Sequence, residues 1–436
     1  MKISRYSIFF DAGNDLKLAY CSRTNALFEI SAQLFDFFRL NRNGKVDVDL
    51  FEEDVLSFLM EQKVIVHEED DDVYVRELQF KTLQLGFSQE QLSLIIAPTS
   101  QCNFRCHYCF EPKKDQRVME HVQIAQLVEF VQKHSLAKTM SITWYGGEPL
   151  LAIDVIRTLL QQFNRTGKTL VRHDIITNGY YFDEKAIEIF SEFPLNLIQV
   201  TLDGNQKRHD SIRVNYKTKE RSFYRIISNM DRILEALPNT FLSVRVNVDK
   251  SSQEQFYEVK EFLSERWEKY SNYEIYPGIL RIDNKEGADF SEESMNVFDA
   301  AAFSQKLEEC GFANNYPTLL LKSCTANRIN SYIIGPAGEM YKCWNDVTDK
   351  NKIVGYIHDD TLIHRQLFYD YLFTTAWYEN AKCKECAILP ICHGGCAWYK
   401  VRNLRANGHF DTCCTHRDEN LLKSSLINRY MQTKKK

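Results

Sequence analysis

The period at which apolar and polar residues alternate changes along this chain, and the changes mark out its parts. Residues 6–10 and 16–20 alternate with the period of a half-buried hairpin, and Ala12-Gly13-Asn14-Asp15 between them supplies turn residues. Residues 26–30 predict a third short strand. Ser31 is a suitable N-cap for a helix that carries Leu34, Phe37 and Phe38 on one face. A second helix over about 50–62 places Val55, Leu56, Phe58 and Leu59 inward, and Val64-Ile65-Val66 returns as a strand. The acidic run 68–72 reads as a solvated boundary, which gives a small α+β domain over 1–75 and a linker over 76–91.

From residue 92 the pattern becomes a regular alternation of strand and helix. The apolar run 92–98 predicts a buried parallel strand. It is followed by helix 120–133, with Ile124, Leu127, Val128 and Val131 inward, and strand 140–145. Helix 152–163, strand 172–177, helix 183–193 and strand 197–202 come next. Helix 223–237, strand 242–248, helix 254–267 and strand 273–282 complete six βα units. Such a series predicts an α/β fold, a parallel sheet flanked by helices over 92–285, with functional residues at the C-terminal ends of its strands.

Composition narrows the possibilities. A chain of 436 residues is expected to hold two or three domains. The formal net charge of −5 leaves no basic footprint for nucleic acid, and the short basic end at 434–436 reads as solvated. No run of about eighteen apolar residues and no signal-peptide core is present, so a cytoplasmic protein with no membrane partner is expected. In that setting thirteen cysteines argue for metal ligands rather than disulfides.

The first cysteine group is Cys102-x3-Cys106-x2-Cys109, with Phe104 and Tyr108 inside it, directly after the first barrel strand. Soft thiolates suit iron–sulfur clusters and zinc. Three in one loop with no fourth nearby would leave one metal position open. A closed structural zinc site, completed by His107 or a distant residue, is the alternative. Later strands end in Gly146-Gly147-Glu148-Pro149, in Thr177-Asn178-Gly179, and in Thr201-Leu202-Asp203-Gly204, the last followed by His209-Asp210 and Arg213. Arg245 and Asn247 share one face of the strand at 242–248.

Together these motifs resemble the radical S-adenosylmethionine (SAM) superfamily. The resemblance implies a partial (β/α)6 TIM-like barrel and a [4Fe–4S] cluster held by Cys102, Cys106 and Cys109. Its open iron would take the amino and carboxylate groups of S-adenosyl-L-methionine, which one electron cleaves to a 5′-deoxyadenosyl radical. An external reductant such as flavodoxin or ferredoxin is implied with it. By the same resemblance Phe104, Tyr108, Gly146, Gly147, Glu148, Pro149, Thr177, Asn178, Thr201, Arg213 and Arg245 would line the SAM site. Thr201 replaces the commoner Ser and keeps the hydroxyl. A structural role is expected for His209 and Asp210.

The second cysteine group is Cys324-x13-Gly338-x4-Cys343, then Cys383-x2-Cys386-x5-Cys392-x3-Cys396, then Cys413-Cys414. It resembles the SPASM extension, which carries two auxiliary [4Fe–4S] clusters and brings the expected total to three. Cys383, Cys386, Cys392 and either Cys413 or Cys414 would hold the outer cluster, and Cys324, Cys343 and Cys396 the inner one. Cys310 could close the inner cluster, which otherwise keeps an open iron. Cys21 reads as a small core residue. The expected divisions are a bridge over 286–323, a cysteine-rich domain over 324–420 and a tail over 421–436.

Residues 1–75 resemble the winged-helix-like leader-recognition domain of peptide-maturing members of the superfamily. The whole pattern therefore resembles a radical SAM/SPASM peptide maturase, an oxidoreductase acting on a ribosomally made precursor whose leader binds the N-terminal domain. The implied product is a thioether or carbon–carbon crosslink, with Asp203 and Asp346 as candidate catalytic carboxylates. An anaerobic sulfatase-maturing, formylglycine-forming enzyme is the alternative. Its branch usually has Asp directly after the cysteine aligned with Cys343, where Trp344 stands here. A non-catalytic leader-binding or electron-transfer protein would have no use for the motif 146–149 or for Arg213.

Overall fold

The computed structural model describes residues 1–42, 44–109, 116–280, 295, 297–312, 316–319, 324–359, 361–374, 376–408 and 419–434. It divides into two compact units. One comprises Met1–Phe87, Ala301–Arg328 and Asp370–Lys436, the other Ser88–Ala300 and Ile329–Tyr369.

In the first unit β1 (Lys2–Ile3) precedes a three-stranded antiparallel meander of β2 (Ser7–Asp11), β3 (Lys17–Cys21) and β4 (Ala26–Ile30). Helices α1 (Ala32–Leu40) and α2 (Glu53–Glu61) follow, then β5 (Ile65–Val66), which pairs antiparallel with β1. Ser31 caps α1 by accepting from the Leu34 amide. One core gathers Ala19, Cys21, Phe38, Leu59 and Val64, so Cys21 is the core residue the sequence suggested.

The structure refines the expected divisions of this unit. The linker expected at 76–91 is largely helix α3 (Asp70–Phe87). Its acidic start is not a solvated run, because Asp71 is fully buried. That carboxylate accepts from Ser4 Oγ at 2.8 Å and the Arg5 amide at 2.9 Å, and pairs with Arg23 at 3.0 Å. Acidic residues in a first turn also interact favourably with the positive end of the helix dipole. The tail expected at 421–436 is part of helix Glu419–Lys434, whose Leu426 is buried with Ile8, Phe10 and Tyr20. The bridge expected at 286–323 contains helix Val297–Glu309.

The second unit carries the α/β architecture. Its strands are β6 (Gln91–Ile96), β7 (Thr139–Trp144), β8 (Thr169–Thr177), β9 (Leu197–Leu202), β10 (Phe241–Val248) and β11 (Tyr273–Ile279), and they lie side by side in chain order, all parallel. The helices between them are α4 (His121–Lys133), α5 (Ile153–Phe163), α6 (Glu184–Glu192), α7 (Gln206–Ile212), α8 (Phe223–Ala236) and α9 (Gln253–Arg266). Each has a local cause. Glu120 and Gln123 form a capping box on α4, and Asp183 and Asn205 cap α6 and α7. In α5 the buried residues Ile156, Leu159, Leu160 and Phe163 recur at the spacing of one helix face.

The strands bury one face and keep the other polar. In β9 Ile198, Val200 and Leu202 are buried while Gln199 and Thr201 are half-buried, and β7 repeats the pattern with Ser141 and Thr143. Across the polar face Ser93 and Ser141 are bonded at 2.9 Å and Tyr276 donates to Gln199 at 2.9 Å.

The sheet does not end at β6. Strand β12 (Ser331–Ile334) adds in parallel to it, and β13 (Glu339–Tyr341) and β14 (Gly355–Tyr356) continue antiparallel. The single cysteine-rich domain expected over 324–420 is thus divided, with residues 329–369 joined to the barrel unit. Main-chain pairing of a fully buried four-residue strand decides this. Among the described residues no helix is long and apolar enough to cross a membrane.

One buried pair between neighbouring strands, β7 and β8, makes a testable demand. The Trp144 indole donates to His173 Nε2 at 2.8 Å, and His173 Nδ1 faces the Pro194 carbonyl at 3.1 Å. An acceptor at Nε2 requires a neutral ring with its proton on Nδ1. Burial pulls His173 down to about 4 and His209 down to about 3. An unfolded histidine titrates near 6.5, so the unfolded chain binds more protons between these values. Stability is therefore expected to be full above about pH 6.5 and to fall as pH drops below it, by up to about 1.4 kcal/mol per pH unit for each ring. Urea midpoints from pH 7 to 5 measure the slope, and His173→Asn should flatten it; an unchanged slope would refute the assignment.

Candidate active site

The cysteine loop leaves the C-terminal end of β6 and is held there by backbone. The Gly147 amide donates to Thr99 O at 3.2 Å and the Glu148 amide to Gln101 O at 2.7 Å. Gly146 has φ +103°, and a Cβ on it would lie 2.6 Å from Thr99 O; one on Gly147 would run into the Ser100 and Gln101 carbonyls. The two glycines admit the cysteine loop itself, whereas the sequence suggested only close approach to a ligand. Thr99 Oγ1 donates to Arg117 O at 2.7 Å and closes the loop's far side.

Within the loop, Phe104 N donates to Cys102 Sγ at 3.4 Å and Cys109 N to Cys106 O at 3.1 Å. Phe104 is buried edge-on to Tyr180, ring centres 5.7 Å apart, so it anchors the loop from beneath. The Arg105 guanidinium lies 3.7 Å from the Tyr216 ring centre and donates to the Cys102 and Phe104 carbonyls. Cys102, Cys106 and Cys109 are each partly accessible. Burial pushes the Cys106 thiol up and the Arg213 guanidinium opposes it.

This donor set suits a four-iron cluster. Among the described residues no three His, Cys, Asp or Glu side chains converge as ligands of one metal ion. Thiolates of a cluster need no such convergence, because each holds a different iron.

A second network joins the loop to β8. Glu148 is 1% exposed and accepts from Thr177 Oγ1 at 2.6 Å, from the Asn178 amide at 2.8 Å and from the Leu150 amide at 3.1 Å. Burial raises this carboxyl, and the three donors offset only part of the rise. Pro149 is buried at the start of the turn Pro149–Ala152, beside the Glu148 cap. Asn178 Nδ2 in turn donates to Asn103 Oδ1 at 2.8 Å, while Asn103 Nδ2 is buried without an acceptor. Sequence reasoning passed over Asn103, because nothing in a single Asn between Cys102 and Phe104 marks it.

The third network spans β9, β10 and the cysteine loop. Asp203 is fully buried and pairs with Arg213 Nε at 2.5 Å. The Tyr108 hydroxyl donates to it at 2.6 Å, and Asn247 Nδ2 at 2.8 Å. Arg213 and Asn247 also reach Tyr108 Oη at 3.0 and 3.1 Å, and Arg245 Nε donates to Asn247 Oδ1 at 3.0 Å. Burial alone would lift the Asp203 carboxyl, but Arg213 and the other donors outweigh it and hold it below its ordinary value. Burial also lifts the Tyr108 phenol well above its usual range.

A carboxylate so engaged is a poor proton acceptor. Asp203, expected as a candidate base, is therefore a positioning residue that fixes Arg213 and Tyr108. Asn247 belongs with it, as the alternation of the strand at 242–248 had hinted. Thr201 stands beside Arg245 in register, half-buried on the polar face. His209 is buried against Ser222 at 2.9 Å, and Asp210 accepts from the Ser222 and Phe223 amides, both structural as expected.

The second cysteine group is only partly gathered. Cys343 is buried in the barrel unit, with Asp346, 2% exposed, in the turn that follows it. Cys324, Cys383, Cys386, Cys392 and Cys396 lie in the other unit. Cys310, at the end of helix Val297–Glu309, is exposed. Cys413 and Cys414 fall outside the described residues.

A parallel sheet with a three-cysteine loop at the end of its first strand, and polar side chains at the ends of the next four, is the arrangement the radical SAM resemblance leads one to expect. Residues 96–263 match the family model described as the Radical SAM superfamily. The cysteine-type anaerobic sulfatase-maturating enzyme of Clostridium novyi (strain NT) is 26% identical over 348 residues, covering 72% of this chain and 90% of that protein. Two solved structures share the fold. Native anSMEcpe with bound AdoMet and Cp18Cys peptide has a TM-score of 0.58 at 19% identity, over 79% of this chain and 97% of its own. Streptococcus suis SuiB bound to precursor peptide SuiA has a TM-score of 0.52 at 16% identity, over 96% and 99%. The family implies S-adenosylmethionine and a [4Fe–4S] cluster, which the loop at Cys102, Cys106 and Cys109 fits.

The Asp203 network can be taken apart one interaction at a time. Asp203→Asn leaves Arg213 buried without its counter-charge, an expected loss of about 3–5 kcal/mol in unfolding free energy. Tyr108→Phe removes hydrogen bonds to charged groups alone, at about 1.5–3 kcal/mol. Chemical denaturation compares the two, and equal losses would deny the ion pair its special weight.

Proposed function

We propose that this radical SAM enzyme modifies a ribosomally made precursor peptide, recognising its leader through the N-terminal unit and closing a thioether or carbon–carbon crosslink in its core. When bound, the [4Fe–4S] cluster and S-adenosylmethionine supply a 5′-deoxyadenosyl radical able to abstract hydrogen. Cys102, Cys106 and Cys109 would hold the cluster. Gly146 and Gly147 set the loop's position, and Arg213, fixed by Asp203 and Tyr108, presents a cation toward the site. Cys383, Cys386, Cys392 with Cys413 or Cys414, and Cys324, Cys343 and Cys396, would hold two auxiliary clusters.

The observation that carries the leader reading is a groove of about 310 Å³ beside β4, with Phe28, Ile30, Leu34, Val55, Phe58 and Leu59 among its lining. Strand β4 is an edge of its sheet and pairs outward with no strand among the described residues. An edge strand beside an apolar groove suits an extended peptide that adds as a strand and seats alternate side chains. The structure of SuiB bound to precursor peptide SuiA matches nearly this whole chain in fold.

The sulfatase-maturing alternative is favoured by the Clostridium novyi relative. Against it stand Trp344 in place of the usual Asp and a whole small domain ahead of the barrel.

Anaerobic co-expression with a short peptide encoded beside the gene tests the reaction. The expected outcome is a loss of two hydrogens per modified site, absent when Cys102, Cys106 and Cys109 are replaced by Ala. An unmodified precursor together with conversion of a sulfatase-derived peptide would favour the alternative. Leader docking has its own readout. Phe58→Asp should weaken binding of a fluorescent leader peptide by roughly tenfold or more, the loss expected of a central apolar anchor, while iron content stays at the wild-type value. Unchanged affinity would remove the groove from the scheme.

A further inference from the structure

The segment joining Cys392 to Cys396 is pressed from two sides by buried donors. Its backbone takes the left-handed region three times in succession, at His393 (φ 51°), Gly394 (φ 78°) and Gly395 (φ 84°). A Cβ on Gly394 would lie 2.6 Å from Trp377 Cβ and 3.0 Å from Lys400 Nζ, so a glycine is required where these side chains meet the loop.

Neither donor set is fully satisfied among the described residues. Lys400, on helix Ala397–Asn407, is 5% exposed, and its ammonium donates to Thr374 O at 2.9 Å. An ammonium has three donors, and no carboxylate among the described residues pairs with this one. The Lys400 ammonium meets the Cys392–Cys396 loop at Gly394; burial pulls it below the usual lysine range, and Cys383, Cys392 and Cys396 oppose the shift. Trp377 is 2% exposed and packs in one cluster with Leu389, Cys383 and Cys386, yet its Nε1 has no acceptor among the described residues. A buried cation with one carbonyl acceptor and no paired carboxylate, and a buried N–H without an acceptor among the described residues, both set against a group of thiols, suit a negatively charged, sulfur-rich occupant.

We infer that Lys400 and Trp377 are positioning residues for the auxiliary cluster on Cys383, Cys386 and Cys392, directing N–H groups at its sulfurs and holding its reduction potential up. The inference rests on the proposed auxiliary cluster and adds its direction of use. Reduction places one further negative charge on the cluster, and a buried ammonium stabilises that form. The cluster is thereby biased toward accepting an electron.

The test uses the full chain with Cys102, Cys106 and Cys109 replaced by Ala, reconstituted anaerobically, so that only auxiliary sites can hold iron. Iron and sulfide per chain are measured first, then the reduced fraction at fixed ambient potential by electron paramagnetic resonance. Lys400→Gln and Trp377→Phe should each retain the iron and lower the reduced-to-oxidised ratio about tenfold, equal to about 59 mV for a one-electron couple. Lys400→Arg keeps the charge and should stay near the parent.

Unchanged potentials in both variants at full iron content would overturn the inference and leave the auxiliary cluster standing. A parent that binds no iron would overturn the auxiliary cluster itself. Should Lys400→Gln lose iron, Trp377→Phe, which preserves the packed ring, decides by its potential alone.

Discussion

The position of the cysteine loop depends on main chain meeting main chain, with no side chain between. At 146 and 147 the end of β7 lies against residues 99–101 so closely that even a methyl group would displace a carbonyl. Two amide bonds fix the distance, and Glu148 then leaves this contact pointing into the protein, where it ties Thr177 and Asn178 of the next strand. A loop of three thiols is thus indexed against two strands before any ligand is considered. A side chain could be replaced by a similar one; the absence of a side chain cannot.

Burial gives the polar groups around this loop their character. Asp203 and Arg213 have left water together, and each is tolerable only because the other is present. The Tyr108 hydroxyl inserts into the pair from the cysteine loop, so the loop and the arginine cannot move independently. Such an arrangement contributes little net stability compared with apolar packing, but it defines one geometry. That is the property a site needs when its chemistry produces a reactive radical, since freedom of position is freedom for side reactions.

Much of the barrel was legible from period alone. Strand 197–202 matches the observed one, and most other barrel elements differ by a residue or two at their ends, where caps decide. What escaped was whatever depends on distant partners. The acidic run at 68–72 has the composition of a solvated linker, and only the folded placement of Arg23, Arg5 and Ser4 makes Asp71 a buried anchor. Strand β12 is too short for periodicity to reveal and is defined by pairing with β6. For the site, the motifs name residues and the fold adds their partners. Asp203 looks like a base in sequence, and its partners, a hundred or so positions apart in the case of Tyr108, make it a counter-ion.

The two thiol regions, each taken within its own unit, follow one electrostatic rule. At the first loop Cys106 faces the Arg213 guanidinium, which is already neutralised by Asp203. At Cys383, Cys392 and Cys396 the facing cation is Lys400, and no carboxylate among the described residues balances it. A balanced cation leaves the field at a neighbouring cluster almost unchanged, whereas an unbalanced one favours the more negative redox state. Among the described residues the difference lies in one aspartate, Asp203, which pairs with Arg213 at the first group and has no counterpart paired with Lys400 at the second.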